Sequence, residues 1–252
     1  MELIDVHAHL ADPSFSNDLP EVIKRAKDAG LAAIVVCVSR LSESRRALEL
    51  VKSNPGFLFL SAGAQPGDAD EAETAALIEF IRANRALLVA VGETGLDYFP
   101  QQSQSRENQK SFFQKFIELS RELDLPLVVH SRSAGQYVLE QLIQEKVPGV
   151  LMHAFDGNYK LAVRALQKAN IYFSIPATIL RSRQKVKLAS ALPLDRLMLE
   201  SDSPVLAPVP GQRNEPASLA KTCRKLAEIK NISFEEVALN TSINARKFFN
   251  IA

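Results

Sequence analysis

Eight short apolar runs recur along the chain, each followed by a polar segment with helical spacing, and this alternation narrows the fold more than any other feature. The runs are "LIDVHAH" (3–9), "AAIVVCV" (32–38), "FLFLSAG" (57–63), "LLVAVGE" (87–93), "PLVVHS" (126–131), "GVLMHA" (149–154), "NIYFSIP" (170–176) and "RLMLESD" (196–202). Most are rich in Val, Ile, Leu and Phe without strict alternation, as expected of parallel strands covered on both faces. Between them, "SNDLPEVIKRAKDAG" opens on Ser/Asn capping residues and closes at Gly30, which is helix punctuation. "SRENQKSFFQKFIELSRELDL" is the longest helix candidate, and a helical tail runs from about Glu215 to the end. Eight βα units match the strand count of a TIM (β/α)8 barrel. An open doubly wound sheet usually has fewer strands and a glycine-rich turn after the first, whereas here the first run leads into "HAHLADP". The expectation is an α/β barrel forming a single domain over residues 1–252, since no linker interrupts the repeat.

Bulk properties exclude little but are informative where they do. The net charge of +1 advertises neither nucleic acid nor an anionic membrane, so such a partner would need a local patch. No apolar run approaches the ~20 residues that span a bilayer, and the start of the chain, with Glu2 and Asp5, lacks the basic flank of a secretory signal. Of the two cysteines, Cys37 lies in an apolar run and reads as a buried structural thiol. A cytoplasmic location is expected, with the nucleus open if the organism is eukaryotic. A monomer is the expected state.

All four histidines fall at the C-terminal ends of apolar runs, where barrel enzymes place their chemistry. His7 and His9 end the first, His130 the fifth and His153 the sixth, while Glu93 ends the fourth and Asp202 the eighth. Residues i and i+2 of a strand share a face, so His7 and His9 present two imidazoles together, and Asp5 shares their parity. Neutral imidazole is the commonest metal ligand, and carboxylates balance a divalent charge. Four nitrogens and two oxygens exceed the needs of one tetrahedral ion. Two ions ~3.5–4 Å apart, with one carboxylate bridging, would use all six.

The motifs "DVHAHL" (5–10), "GETGLDY" (92–98), "VVHSRSA" (128–134), "LMHAFDG" (151–157) and "LESDSP" (199–204) resemble those of the TatD family of metal-dependent deoxyribonucleases, an amidohydrolase-like barrel group. They occur in family order from end to end of the chain. "HSRSAG", "SIPATILRSRQKVKL" and "RNEP" are most similar to the third animal type of that family. The resemblance implies that His7, His9 and Asp202 hold one divalent ion, that His130 and His153 hold a second, and that Glu93 bridges them; the ions would be Zn, Mg or Mn. One position departs from the family. Where it has Gly-x-His-Pro, this chain has Gly63-Ala64-Gln65-Pro66, and Gln65 can hydrogen-bond a phosphate or water but cannot transfer a proton at neutral pH.

The implied reaction is hydrolysis of DNA phosphodiester bonds by a metal-activated water, exonucleolytic at single-stranded ends, with Glu93 and Asp202 catalytic and Asp202 taking the water's proton. Phosphate binding calls for cations nearby. Arg132 follows His130 by two residues and faces the same way if that strand continues. Arg181, Arg183, Lys185 and Lys187 cluster after the seventh run, and Arg213 follows the eighth. Together with Gln65, Arg132, Arg181 and Arg213 are the expected substrate-binding residues. Tyr98, Phe99 and Phe155 follow strand ends and either stack on bases or pack beneath loops; Asp97 is expected to orient a neighbour. The competing readings are a hydrolase of a small amide, lactone or phosphoester on the same barrel, and a metal-binding protein with a relic site.

Overall fold

The computed structural model describes residues 2–145, 147 and 149–251. Its eight strands are β1 (Leu3–Ala8), β2 (Leu31–Val38), β3 (Leu58–Ala62), β4 (Leu88–Gly95), β5 (Leu127–His130), β6 (Val150–Met152), β7 (Ile171–Ile175) and β8 (Leu197–Leu199). They pair in parallel and in chain order, and β8 returns to β1 to close the barrel. The helices are α1 (Leu19–Asp28), α2 (Leu41–Ser53), α3 (Glu71–Ala83), α4 (Arg106–Leu123), α5 (Gly135–Glu145), α6 (Tyr159–Leu166), α7 (Arg183–Ala191), α8 (Leu219–Lys230) and α9 (Phe234–Phe249). The TIM (β/α)8 expectation is met.

Local chemistry explains the helix ends. Asp70, Ser105, Asn158, Ser182 and Ser233 each accept a backbone N–H of the first turn of the helix that follows. The helical tail is two helices because Asn231 ends α8 in the left-handed region and Ser233 caps α9.

The apolar residues divide into two cores. Alternate strand residues such as Val36, Leu127, Val129, Met152, Phe173 and Leu199 pack against the helices. Ile4, Val6, Val35, Ala90, Val128, Leu151 and Met198 fill the barrel interior, which Ala245 and Phe249 of α9 join. Two register shifts near the strands' C-terminal ends bear on the site. In β1 the pairing with β2 shifts between Asp5 and Ala8, and in β4 the pairing with β5 shifts between Val91 and Thr94. Each shift leaves two residues opposite one, a bulge that re-aims side chains. Gly92 and Gly95 flank the second bulge at φ 137° and 136°. A Cβ at either would run into the carbonyl of Val128 or of His130, so the "GETG" stretch is what lets β4 press against β5.

Candidate metal centre

The β1 bulge turns His7 and His9 to the same place. Their Nε2 atoms lie 3.2 Å apart. Glu93 Oε2 lies 3.2 Å from the first and 3.3 Å from the second, and Asp202 Oδ1 lies 3.6 and 3.5 Å from them. Across Glu93 stands a second pair. His130 Nδ1 and His153 Nε2 are 3.2 Å apart, and Glu93 Oε1 lies 2.8 Å from His130 and 3.5 Å from His153. The two carboxylate oxygens of Glu93 therefore serve different imidazole pairs, and the rings of His7 and His153 stack between the pairs with centroids 4.1 Å apart.

His130 and Glu93 lie within strands, but His9 and His153 stand one residue beyond theirs. Asp202 stands three beyond β8, in a loop rather than at a strand end. Its backbone sits at φ 52°, and its N–H reaches the His7 carbonyl at 2.9 Å. His9 N–H in turn reaches Ser203 O at 2.7 Å, so the β8 loop is stitched to β1. Asp5 does not share the histidines' face. It lies opposite Ile34 in register, and its Oδ1 accepts the N–H groups of His7 and Ser201 at 3.2 and 2.9 Å. Burial lifts its carboxyl to about 7 against those hydrogen bonds.

The six donors fit divalent cations. Imidazole nitrogens facing each other at 3.2 Å can be neither two lone pairs nor two N–H groups without repulsion, and a shared cation relieves this. Among the described residues no lysine or arginine pairs with Glu93 or Asp202. Without a cation the imidazoles must carry the charge. Burial opposes it, yet the carboxylates of Asp202 and Glu93 push His9 up to about 10, those of Asp97 and Glu93 raise His130, and those of Glu93 and Glu200 raise His153. Burial alone would lift Glu93 and Asp202, but the surrounding imidazoles hold both below the usual carboxylate range.

A supporting shell surrounds the cluster. Asp97 Oδ2 lies 3.0 Å from His130 Nε2 and so orients that ring. Glu200, fully buried, takes the Ser174 hydroxyl at 2.7 Å and the Ala154 N–H at 2.7 Å, and its Oε2 lies 3.6 Å from His153 Nδ1. Glu200 escaped sequence reasoning, although a charged residue inside "LMLESD" was its signal. Cys37 Sγ accepts the Glu93 N–H at 3.1 Å, and burial pushes its thiol well up, so it is a neutral prop beneath the carboxylate.

The cluster forms the floor of a cavity of about 690 Å³ whose walls include Arg40, Gln65, Arg132 and Lys185. Arg132 stacks over Phe99, 3.7 Å from the ring centroid. It projects from a turn, because β5 stops at His130. Gln65 is half-buried beside Arg40, which pairs with Asp68 at 2.8 Å. Two of the expected substrate-binding cations stand elsewhere. Arg213 is spent on Asp18 at 2.5 Å and on the Ser14 carbonyl at 2.7 Å, and it lies over Phe15. Arg181 is exposed and does not line the cavity. Tyr98 and Phe155 are buried packing residues, Phe155 edge-on to Phe173. Asn158 caps α6, and Asp156 accepts the Ser133 N–H at 2.8 Å.

Residues 4–250 match the family model described as TatD related DNase. The chain is 36% identical over 259 residues to Deoxyribonuclease TATDN3 of Homo sapiens, covering 98% of this chain and 94% of that protein. It is 32% identical over 262 residues to the 3'-5' ssDNA/RNA exonuclease TatD of Erwinia billingiae, covering 99% of each. Among solved structures, YJJV, a TatD homolog from Escherichia coli k12, is similar with a TM-score of 0.90 and 29% identity over 99% of this chain and 98% of that one. With the ligand-type cluster at the barrel mouth and matches over nearly its whole length, the chain belongs to the TatD related DNase family.

Proposed function

We propose that this protein is a TatD-type metal-dependent deoxyribonuclease that trims single-stranded DNA ends, acting as a monomeric single-barrel domain over residues 1–252. The observation that carries the reading is Glu93 set between two imidazole pairs on the floor of a cavity whose wall, acidic and basic by turns, includes Arg132 and Lys185. His7, His9 and Asp202 would hold one divalent cation, His130 and His153 the second, with Glu93 shared between them. Bound there as Zn, Mg or Mn, the cations would lower the pKa of a water and neutralise charge on a phosphate.

The chain's own groups supply the rest. Asp202, kept ionised by its imidazole neighbours, takes the proton of the attacking water. Asp97 fixes the His130 ring, and Arg132, whose guanidinium has no ion pair among the described residues, takes a backbone phosphate of the strand. Gln65 can hydrogen-bond that phosphate or a water but moves no proton. The cavity suits a strand end better than the middle of a duplex. No helix among the described residues is long and apolar enough to cross a membrane. Cys37 and Cys223 are free thiols, which suits the reducing cytoplasm.

The deciding assay digests oligonucleotides labelled at the 3′ or the 5′ end, single- and double-stranded, with each metal in turn. Loss of nucleotides from single-stranded ends is expected. Intact oligonucleotides alongside hydrolysis of a small ester or amide would replace this reading with that of a small-molecule hydrolase.

A further inference from the structure

Two buried polar groups on one wall of the cavity have no role in the metal cluster. Lys185, in the first turn of α7, is 8% exposed, and burial brings its ammonium down to about 8. Its Nζ donates to the carbonyls of Ala154 at 2.7 Å and Phe155 at 2.6 Å. An ammonium has three N–H bonds, so one remains without a partner among the described residues. Thr178, 6% exposed in the 3-10 turn that follows β7, has a hydroxyl with no hydrogen-bond partner among the described residues. Both residues line the cavity that Glu93, His153 and Asp202 also line.

Leaving a buried donor unpaired is costly, so two beside one cavity call for an acceptor. Among the described residues no carboxylate of the wall accepts from Lys185 or Thr178. Asp156 accepts instead from Ser133, and Glu200 from Ser174 and Ala154. The loops after strands seven and eight are also where barrels of this architecture commonly seat a phosphate.

We infer that Thr178 and Lys185 form a subsite for an oxygen of a substrate phosphate, the hydroxyl and the third ammonium N–H both donating to it. The inference rests on the phosphodiesterase reading above. It adds a wall contact made by the chain itself, separate from the metal ligands and from Arg132. Lys185 also ties the turn that follows His153, so its charge is placed by the same bonds that hold that turn.

Inorganic phosphate is the probe, titrated by calorimetry into zinc-loaded wild type, Thr178→Val and Lys185→Met, with zinc content measured on each. A hydrogen bond to a charged group is worth about 1.5–3 kcal/mol, so each variant should bind phosphate about tenfold more weakly or worse with its zinc retained. The KM for a single-stranded oligonucleotide should rise in parallel. Thr178→Val is close to isosteric and touches no backbone group, which makes it decisive. Phosphate affinity equal to wild type in that variant overturns the subsite, whatever Lys185→Met does. A shift for free phosphate with an unchanged oligonucleotide KM also overturns it, because the site would then not serve the substrate. If zinc-loaded wild type neither binds phosphate nor cleaves an oligonucleotide, the phosphodiesterase reading itself has failed. If it does both and Thr178→Val is unaltered, only the subsite has failed.

Discussion

Asp97 Oδ2 sits 3.0 Å from His130 Nε2, and this single contact decides which nitrogen of His130 is left for Glu93. With Nε2–H donated to the carboxylate, Nδ1 faces Glu93 Oε1 at 2.8 Å, where it donates as an imidazolium when no cation is bound and would offer its lone pair to one that is. Asp97 is itself held, accepting the Phe99 N–H at 2.9 Å through Oδ1. Burial works against its charge, but the His130 hydrogen bond, the Phe99 N–H and the charges of His130 and Arg132 together outweigh it and keep the carboxyl below its usual value. Loss of such a ring-orienting partner typically costs about 10–100-fold in metal affinity. Asp97→Ala should therefore show that loss in a chelator competition, whereas Asp97→Asn, which can still accept from Nε2–H, should lose less. Equal metal affinity in Asp97→Ala and wild type would remove the orienting role.

Glu93 is the group shared by both imidazole pairs, so its removal should separate function from fold. Its side chain contributes nothing to the strand ladder, and β4 is held by backbone pairing to β3 and β5. Glu93→Ala should retain the circular dichroism of the barrel and a cooperative melt, while nuclease activity falls below detection. Metal content should fall as well, since one oxygen is lost from each side. Residual activity within tenfold of wild type would contradict the shared role.

Asp5 provides a pH test beneath the cluster. An unfolded aspartate titrates near 3.8, and burial lifts this one to about 7 in the folded chain. The folded protein therefore holds this proton more tightly, so the group's stabilising contribution is present at acid pH and is lost as pH rises from about 4 through 7. The full span corresponds to about 4 kcal/mol as an upper figure. Relative to Asp5→Asn, which does not titrate, chelator-treated wild type should become less stable between pH 4 and pH 8. Urea midpoints of both proteins at several pH values measure this. A constant difference across that range would show that Asp5 keeps an ordinary pKa.

The barrel and the meeting of the four histidines are legible in the sequence because both follow from spacing. Strands buried on two faces read as unbroken apolar runs, and barrels bring their strand ends together. The bulges are not legible, since one extra residue leaves no mark on composition. By parity alone Asp5 belongs with His7 and His9, yet the shift in β1 sends it to the Ser201 backbone. Glu200 is hidden for a different reason: its partners are Ser174 on β7 and Ala154 in the turn after β6. Arg213 follows β8 closely enough to suggest the rim, but its partner Asp18 lies 195 residues away at the start of α1. Such a contact is visible only once the barrel has closed.

That difference between two arginines makes the last test. Arg132 lines the cavity with its guanidinium stacked on Phe99 and in no ion pair among the described residues, whereas Arg213 is held by Asp18 and the Ser14 carbonyl. A phosphate contact from Arg132 is charge-assisted, so Arg132→Ala should raise the KM for a single-stranded oligonucleotide about tenfold or more. It should also reduce the slope of log affinity against log salt by about 0.7, the share of one phosphate contact on a single strand. Arg213→Ala should leave both KM and salt slope at their wild-type values, because its charge is already neutralised by Asp18. Binding isotherms at four salt concentrations for the three proteins distinguish the cases. Equal salt slopes for Arg132→Ala and wild type would show that the exposed cation over Phe99 meets no phosphate, and a fall in slope for Arg213→Ala would return that residue to the DNA-binding rim.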